Sequence, residues 1–320
     1  MRHLLIGIIA VVASAVQAQE PYPSRPVRLI VPFAAGGGPD ALARQFAPRL
    51  AEALGGTVVV ENRVGAAGTI AAISVAQSAA DGYTLLAGSS VHLVLKHLNP
   101  AAKYDPLASF EPVSLTSSGP SVLVVAAESP AKDVKGLEAM LRAQPGKLNY
   151  GSGGIGTPAH LAPAALLKVT GTDAVHVPYK GSVDIVPALM AGQIQFAFPI
   201  AGTALPQIRN GKVRALAVTG GTRIPQLPEV PTLKEVYGAD LLVIDSWGCV
   251  WAPKGTPRPV IEKLHAAIVQ AHRDPALRGF YEQLGSVVRV SGSPEEFAAF
   301  VRAENAKWGE LVKLSGAKVE

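Results

Sequence analysis

The stretch that decides the fold lies at residues 27–40, which read Val27-Arg28-Leu29-Ile30-Val31-Pro32-Phe33-Ala34-Ala35-Gly36-Gly37-Gly38-Pro39-Asp40. An apolar run typical of a buried strand leads through three consecutive glycines into an alanine-rich amphipathic segment. Glycine has no side chain that would block a ligand, and the first amides of a helix have no partner within the helix. Such a turn presents bare amide donors, which favours the binding of an anion.

The same order of segments returns at residues 148–158, which read Leu148-Asn149-Tyr150-Gly151-Ser152-Gly153-Gly154-Ile155-Gly156-Thr157-Pro158. Thr157 is a favoured helix N-cap, and Pro158 is a favoured first helical residue. For either loop alone, a tight turn and a helix cap would explain the glycines. Two such loops at the carboxyl ends of strands favour a ligand site, because open α/β sheets bind ligands there.

The second loop also spells the G-x-G-x-x-G motif of dinucleotide-binding folds. Those folds place an acidic residue at the end of the following strand, where it binds the ribose. In this chain that strand, residues 174–178, is followed by Tyr179 and Lys180, and Asp173 stands at its opposite end. The sequence therefore favours an anion over a dinucleotide, and it predicts no cofactor.

Strand-like and helix-like segments alternate along most of the chain, which predicts parallel α/β sheets covered by helices. Two long uncharged runs, residues 120–126 and 241–253, flank a self-contained α/β block. If both runs cross between lobes, they form a two-strand hinge. We therefore predict an α/β protein with a discontinuous domain 1, residues 19–123 with 247–320, and a continuous domain 2, residues 124–246.

The N-terminus predicts an export signal in residues 1–18. Arg2 and His3 precede an apolar run that ends at Val16, and the small residues of Val16-Gln17-Ala18 predict cleavage after Ala18. A membrane anchor is the alternative, but this run is shorter than the roughly 20 residues that cross a bilayer. We expect the mature chain to be exported.

Composition and motifs argue against several other classes. The net charge is +5 without a run of Lys or Arg, so nucleic acid is not an expected partner. The single cysteine, Cys249, lies between apolar residues and is expected to be inert core. The histidines share no ligand spacing, and C-x-x-C and H-E-x-x-H are absent, so no metal site is predicted. An α/β hydrolase with Ser152 as nucleophile stays open as an alternative, although the chain has no G-x-S-x-G motif.

Asp40 has two interpretations from the sequence. An acidic residue in the first turn stabilises the helix dipole, which is a sufficient reason for its presence. Its carboxylate is also suited to pairing with a cation on a ligand, such as an α-ammonium group. A third candidate helix start, Lys180-Gly181-Ser182, precedes Asp184.

The order and spacing of several motifs resemble one protein family along essentially the whole mature chain. These motifs, besides the two glycine loops, are Tyr22-Pro23-Ser24-Arg25-Pro26, Val59-Val60-Glu61-Asn62-Arg63, Asp81-Gly82-Tyr83-Thr84-Leu85-Leu86, Thr157-Pro158-Ala159-His160-Leu161, Val177-Pro178-Tyr179-Lys180-Gly181, Ala252-Pro253-Lys254-Gly255-Thr256-Pro257 and Lys307-Trp308. The chain resembles the tripartite tricarboxylate transporter receptors, also called Bug-type periplasmic solute-binding proteins.

The resemblance implies a two-lobed type II periplasmic binding protein, a Venus flytrap that closes on a small carboxylate without catalysis. It implies a periplasmic location and delivery to the subunits of a membrane transporter, or in some members to a signalling partner. We expect a monomer. The ligand-binding residues carried over are Phe33, Ala34, Ala35, Gly37, Gly38, Asp40, Ser89, Ser90, Ser152, Gly153, Ile155, Gly156, Thr157, His160, Asp184 and Pro199.

Four positions depart from what is common in that family. Pro39 stands where threonine is usual, and Pro199 stands where an aspartate is frequent. Ala34 and Ile155 replace a proline and a polar residue. All four changes make the predicted cleft less polar. We therefore expect a carboxylate with an apolar body, aliphatic or aromatic, rather than citrate or an acidic amino acid.

Overall fold

The computed structural model describes residues 22–179 and 184–316. The predicted export segment and the turn Lys180-Gly181-Ser182 lie outside the described residues. The strands are β1 (Val27–Val31), β2 (Val58–Asn62), β3 (Thr84–Ser89), β4 (Phe110–Pro120), β5 (Val122–Ala126), β6 (Asn149–Ser152), β7 (Val175–Pro178), β8 (Phe196–Ala197), β9 (Val213–Val218), β10 (Asp245–Pro253) and β11 (Val287–Val288). The helices are α1 (Gly38–Leu54), α2 (Thr69–Ala76), α3 (Val91–Leu98), α4 (Val134–Ala143), α5 (Pro158–Thr170), α6 (Ile185–Met190), α7 (Ala201–Arg209), α8 (Leu233–Tyr237), α9 (Arg258–Ala271), α10 (Pro275–Gln283) and α11 (Pro294–Ser315).

The strands form two sheets, and each sheet is the centre of one lobe. The sheet of lobe one has the order β11-β4-β10-β3-β1-β2, and that of lobe two has the order β7-β6-β8-β5-β9. β1 runs parallel to β2 and β3, and β6 runs parallel to β7 and β8. The strands next to the connections do not follow the prediction of parallel sheets. β10 is antiparallel to β3 and β4, and β5 is antiparallel to β8 and β9.

The helices that follow the two glycine loops begin and end at the expected signals. α1 follows Gly37, and α5 follows Thr157 with Pro158 as its first residue. Both helices end at a glycine in the left-handed conformation, Gly55 with φ 69° and Gly171 with φ 63°. A residue with a side chain adopts this conformation only at a cost, so glycine is the favoured stop.

The chain crosses between the lobes twice, and the two connections are hydrogen-bonded to each other. The first crossing lies at Ser121, between β4 and β5, and the second begins at Thr219, after β9. The Ser121 amide donates to Thr219 Oγ1 at 2.9 Å, and Thr219 Oγ1 donates to the carbonyl of Ile244 at 2.6 Å. Both residues are fully buried. The boundaries expected at 123/124 and 246/247 fall inside β5 and β10. The chain changes sheet before each of them, at Ser121 and in the segment between Thr219 and Ile244.

β4 and the two-residue β11 are strands that the sequence pattern did not indicate, and β4 is the longer. It contains Pro112 and Gly119 and is rich in serine, although most of its side chains are buried. Ser291, from the segment after β11, accounts for part of this burial. Its hydroxyl accepts the Leu115 amide at 3.2 Å, and its own amide donates to Ser114 Oγ at 3.3 Å. Polar residues are buried at little cost when they are hydrogen-bonded in this way.

The core around β10 is aromatic. The Trp251 ring stacks on Phe110 at 5.5 Å between centroids and contacts Trp247 at 6.2 Å. Cys249, between the two tryptophans, is 2% exposed, and burial raises the pKa of its thiol. It is therefore an inert core residue, as expected. Among the described residues, no helix has the length and apolar character that crossing a bilayer requires.

Candidate functional site

The first glycine loop, residues 33–38, is fastened to lobe one by the side chain of Asp40. Asp40 Oδ2 accepts the Gly36 amide at 2.8 Å, and both carboxylate oxygens accept Arg44 Nε at 3.0 Å. Asn62 Nδ2 donates to Asp40 Oδ1 at 2.8 Å and to the Phe33 carbonyl at 3.0 Å. The two ends of the loop are thus held by one hydrogen-bonded network.

This network determines the ionisation of Asp40. Hydrogen bonds from Arg44, with further ones from Gly36 and Asn62, lower the pKa of its carboxyl group to about 2. The residue is 2% exposed. Its carboxylate is therefore ionised, buried and occupied by donors of the protein itself. Of the two interpretations from the sequence, this geometry favours a role inside the protein over pairing with a cation on a ligand.

The amides of the first loop point to where an anion could bind. The side chains from Ala34 to Gly38 are exposed, and Gly37 caps α1 without a side-chain hydrogen bond. Among the described residues, the amides of Ala35 and Gly38 have no hydrogen-bond acceptor. Unpaired amides at the start of a helix carry partial positive charge, which is the arrangement that binds carboxylates.

The second glycine loop, residues 152–157, is fastened to lobe two by neutral groups. Ser152 Oγ accepts the Gly154 amide at 3.2 Å and lies 2.7 Å from His176 Nε2. His160 Nδ1 accepts the Gly156 amide at 3.2 Å, and Thr157 Oγ1 donates to the Gly154 carbonyl at 2.8 Å. Thr157 is the N-cap of α5 as predicted, but its hydroxyl does not cap the helix amides.

The two histidines beneath this loop are stacked on each other. Their ring centroids are 3.9 Å apart, and the Tyr150 ring stacks on His176 at 5.0 Å. Burial lowers the pKa of both His160 and His176 to about 4, and the charge of His176 adds to the effect on His160. Both rings are therefore neutral at pH 7. The amides of Gly153 and Ile155 form no hydrogen bond to any other residue within the described ranges.

Helix α3 lies between the two loops and directly follows Ser89 and Ser90, two of the predicted ligand-binding residues. A Cβ atom on Gly156 would stand 2.4 Å from Leu98 Cδ1 and 3.1 Å from Val94 Cγ1, so the second loop packs against α3. On the other side, a Cβ on Gly68 would stand 3.2 Å from Pro32 Cβ and 3.4 Å from His92 Nε2. Through these contacts α3 links the second glycine loop to Pro32, which lies between β1 and the first glycine loop.

The turn before α3 holds hydroxyl groups without partners. Ser89 Oγ and Ser90 Oγ are buried, and neither hydrogen-bonds to another described residue. The Ser90 amide donates to the Trp247 carbonyl at 3.2 Å, and the Ser89 amide donates to His92 Nδ1 at 3.1 Å. Burial lowers the pKa of His92 to about 4, so this imidazole is also neutral at pH 7. Buried polar groups without a partner are uncommon and frequently mark a place for a ligand or water.

The remaining predicted residues lie at the start of two other helices of lobe two. Asp184 precedes α6 and is exposed. Pro199 is buried before α7, and its carbonyl accepts the Val122 amide at 2.9 Å. Ile155 and Ile200, on the second loop and at the α7 N-cap, are each 38% exposed. Large apolar side chains are therefore exposed on the second loop and at the start of α7.

Sequence reasoning missed several residues that build this site. Arg44, Asn62 and His176 hold the loops, and Val94 and Leu98 contact the second loop. Asn62 is 22 residues from Asp40, and His176 is 24 residues from Ser152. One signal was available for Arg44, since it follows Asp40 at the i,i+4 spacing that supports a helix ion pair. Among the described residues, no group of three or more His, Cys, Asp or Glu side chains could hold a metal ion.

Comparison with known proteins gives consistent relatives along the whole chain. The model of the tripartite tricarboxylate transporter family receptor matches residues 42–317. The UPF0065 protein of the tcbD-tcbE intergenic region of Pseudomonas sp. strain P51 is 39% identical over 97% of this chain and 93% of its own length. Protein BugT of Bordetella pertussis is 35% identical over 99% of this chain and 98% of its own length.

Solved structures agree with this assignment. Rpa4515 of R. palustris with adipate superposes with a TM-score of 0.83 at 33% identity, over 93% of this chain and all of that one. MatC of Rhodopseudomonas palustris with bound malate superposes with a TM-score of 0.79 at 32% identity, over 91% of this chain and all of that one. With its two α/β lobes, the chain has the fold of the periplasmic binding proteins and belongs to the tripartite tricarboxylate transporter receptor family.

Proposed function

We propose that this chain is a non-enzymatic periplasmic receptor that binds a small carboxylate between its two glycine loops and delivers it to a tripartite tricarboxylate-type transporter. The observation that carries the proposal is the set of unpaired amides on both loops, each at the start of a helix. These donors favour an anion. We further propose that the lobes are two domains joined at Ser121 and Thr219, and that closure about this hinge traps the ligand.

The side chains around the loops support a ligand with an apolar body. Asp40 is occupied by Arg44, Asn62 and Gly36, so it offers no free carboxylate to an α-ammonium group. Ile155 on the second loop and Ile200 before α7 each expose apolar surface in lobe two. Relatives bind adipate and malate, two dicarboxylates of which adipate has the more apolar body. We propose an aliphatic or aromatic carboxylate over citrate or aspartate.

Two elements of this proposal concern the mature protein. Export is supported by the basic start, the apolar run and the Val16-Gln17-Ala18 sequence, and we propose cleavage after Ala18. A monomer is proposed because each lobe contributes one loop to the same site, so a single chain supplies both. A sensory adaptor that presents the ligand to a signalling partner would use the same site and differ only in that partner.

One observation favours the hydrolase alternative, namely the 2.7 Å contact between Ser152 Oγ and His176 Nε2. A serine–histidine pair of this length is the start of a nucleophilic site. Against it, Ser152 is fully buried and its hydroxyl is already bonded within the loop. Burial alone accounts for the shifted pKa of His176, and no carboxylate contributes to it. The pair therefore fits the support of a loop better than the attack on a substrate.

The test begins with the chain from Gln19, unfolded and refolded to remove any bound ligand. Its melting temperature is measured with adipate, malate, citrate, aspartate, nicotinate and aromatic mono- and dicarboxylates. A ligand at about 100 times its Kd adds about 2.7 kcal/mol to the free energy of unfolding. A shift with adipate or an aromatic acid supports the proposal. A shift with citrate or aspartate alone contradicts the apolar ligand, and no shift with any carboxylate contradicts the receptor function.

The matched variant is Ser152→Ala. For a receptor we expect it to weaken the binding of the best carboxylate by up to about tenfold, because one neutral hydrogen bond of the loop is lost. For a hydrolase it would abolish turnover of carboxylic ester substrates while the wild-type chain releases acid from them. Ester hydrolysis by the wild-type chain that disappears in Ser152→Ala would therefore establish the alternative.

A further inference from the structure

The structure assigns a positioning role to the stacked histidines under the second glycine loop. We propose that His160 and His176 together hold this loop in its anion-binding shape, and that the loop loses this shape when His160 gains a second proton, so that protons and the ligand compete for lobe two. The proposal rests on the proposed function for its ligand. The coupling of the loop to the histidines is measurable without any ligand.

The geometry at His160 sets the direction of the effect. Because Nδ1 accepts the Gly156 amide, the proton of the neutral ring is on Nε2. A second proton has to bind at Nδ1, where it meets the N–H of Gly156 at a distance of 3.2 Å between the nitrogens. Two donors then face each other, the hydrogen bond is lost, and Gly156 must move. Gly156 has φ 80° and packs against Leu98 and Val94, so its movement also disturbs the contact with α3.

The second ring of the stack makes the pair act together. His176 lies 3.9 Å from His160 between ring centroids and 2.7 Å, Nε2 to Oγ, from Ser152. Ser152 Oγ accepts the Gly154 amide and donates its one proton to the Gly154 carbonyl at 3.0 Å, so His176 Nε2 is the donor to Ser152. A second proton on His176 binds at Nδ1 and leaves that bond in place, but the resulting charge repels a charge on His160 across the stack. His176 therefore holds Ser152 and affects the proton on His160, whereas protonation of His160 breaks the bond to Gly156.

The charged groups around the two stacked histidines do not compensate a proton that binds to them. Tyr150 from β6 contacts both rings, and Asp173 acts on Tyr150. On α11, which packs on α5, Glu304 and Lys307 pair with each other. Asp240, in the short helix that also touches α5, pairs with Lys234. Within the described ranges, His176 is the one charged group whose effect on the pKa of His160 is resolved, and no carboxylate offsets a proton on the stack.

The test follows the loop amides by NMR in the refolded chain from Gln19, with glycine and histidine labelled with nitrogen-15. Between about pH 7.5 and about pH 4, we expect the Gly156 amide resonance to shift in step with the His160 ring. Gly36 is the internal control, because its amide is bonded to Asp40, whose carboxyl stays ionised in this range. If the chemical shift of the Gly156 amide stays constant while the His160 ring titrates, the proposal is overturned.

The matched variant is His160→Asn, whose Oδ1 takes the place of the Nδ1 acceptor but does not titrate. We expect it to fold, to keep the Gly156 hydrogen bond and to lose the pH-dependent shift. His272→Asn is the control, because His272 is a buried histidine of lobe one with a pKa lowered to about 4 and no contact with either loop. An equal pH-dependent shift of Gly156 in wild type and His160→Asn would contradict the positioning role.

Binding supplies the second readout, with adipate as the probe. If the chain with a protonated His160 does not bind adipate, a half-protonated His160 at about pH 4 weakens binding by about twofold. Adipate also gains protons in acid, so the readout is the ratio of Kd in wild type to Kd in the double variant His160→Asn/His176→Gln. A ratio that is the same at about pH 7.5 and about pH 4 would refute the competition. If adipate does not bind at all, the amide titration still decides the loop coupling, while the ligand proposal fails.

Discussion

The two glycine loops of this protein present the same backbone donors but are supported by opposite chemistry. The first loop is held by an ionised carboxylate, Asp40, whose charge is balanced by Arg44. The second is held by two uncharged imidazoles and a hydroxyl group. The first loop is exposed, whereas Gly156 in the second is buried against α3.

This difference teaches that an anion site need not contain a free cation. Neither support adds net charge, because the Asp40–Arg44 pair is balanced and the histidines are neutral. In the proposed site, the attraction for a carboxylate comes from the amide dipoles at the starts of α1 and α5. The supports instead decide how firmly each loop keeps its shape and under which conditions it loses it.

The largest loss in the free energy of unfolding is expected when alanine replaces a glycine that has a positive φ. Comparing one such glycine in each loop separates the cost of backbone strain from the cost of packing. Gly36 and Gly156 have the same φ of 80°, but a Cβ on Gly36 has nothing within 4 Å, whereas one on Gly156 would overlap Leu98. Gly36→Ala should cost about 1–2 kcal/mol from strain alone. Gly156→Ala should cost about 1–3 kcal/mol more, from overpacking. Urea unfolding measures both, and equal losses would show that α3 does not press on the second loop.

The next effect concerns the charge that holds the first loop. Asp40→Asn keeps the shape of the side chain but sets its amide group against the donors of Arg44 and Asn62. Because Asp40 is buried and Arg44 is half exposed, we expect a loss of about 2 kcal/mol in the free energy of unfolding, with weaker carboxylate binding.

Glu61→Gln is the control for Asp40→Asn, since Glu61 pairs with Arg28 on the neighbouring strand and both side chains are more than one third exposed. An exposed pair contributes at most about 1 kcal/mol. Similar losses in the two variants would mean that Asp40 stabilises lobe one only as a surface charge does.

Much of this architecture follows from local sequence signals. The apolar runs, the glycines and the helix start at Pro158 were found because each depends on neighbouring residues, whereas α1 begins at Gly38, two residues before the expected Asp40. β4 was missed because its serines look like a loop until Ser291, 177 residues away from Ser114, provides their partners. The supports of the loops were missed for the same reason, since a histidine on β7 reveals nothing about Ser152 until β6 and β7 pair.

The last comparison separates the loops by their response to acid. The pKa of His160 and His176 is lowered from 6.5 to about 4, so the unfolded chain binds more protons between these values. Their contribution to stability is complete above about pH 6.5 and is lost as the pH falls to about 4. The pKa of Asp40 is lowered from 3.8 to about 2, so its contribution disappears only below pH 3.8.

Melting temperatures measured across this pH range test the two pH intervals in which the histidines and Asp40 lose their contributions to stability. We expect His160→Asn to reduce the slope between about pH 6.5 and about pH 4, and Asp40→Asn to leave that slope unchanged. His92 and His272 of lobe one also have a pKa of about 4, so part of the slope will remain in the His160 variant. If the slope of melting temperature against pH changes in Asp40→Asn but not in His160→Asn, then the acid response comes from the residue that holds the first loop and not from the histidine that holds the second.

The position of β10 has a consequence for the order in which the lobes fold. β10 lies between β4 and β3, so the sheet of lobe one stays divided until residues 245–253 are available. Lobe two draws all its strands from residues 122–218, so its sheet is complete before β10 emerges during synthesis. The sheet of lobe two is therefore expected to form first, while lobe one requires pairings between distant parts of the chain, which form slowly. A chain that is interrupted before β10 would carry a complete sheet in lobe two, without the α11 helix that packs on α5, and an unclosed sheet in lobe one.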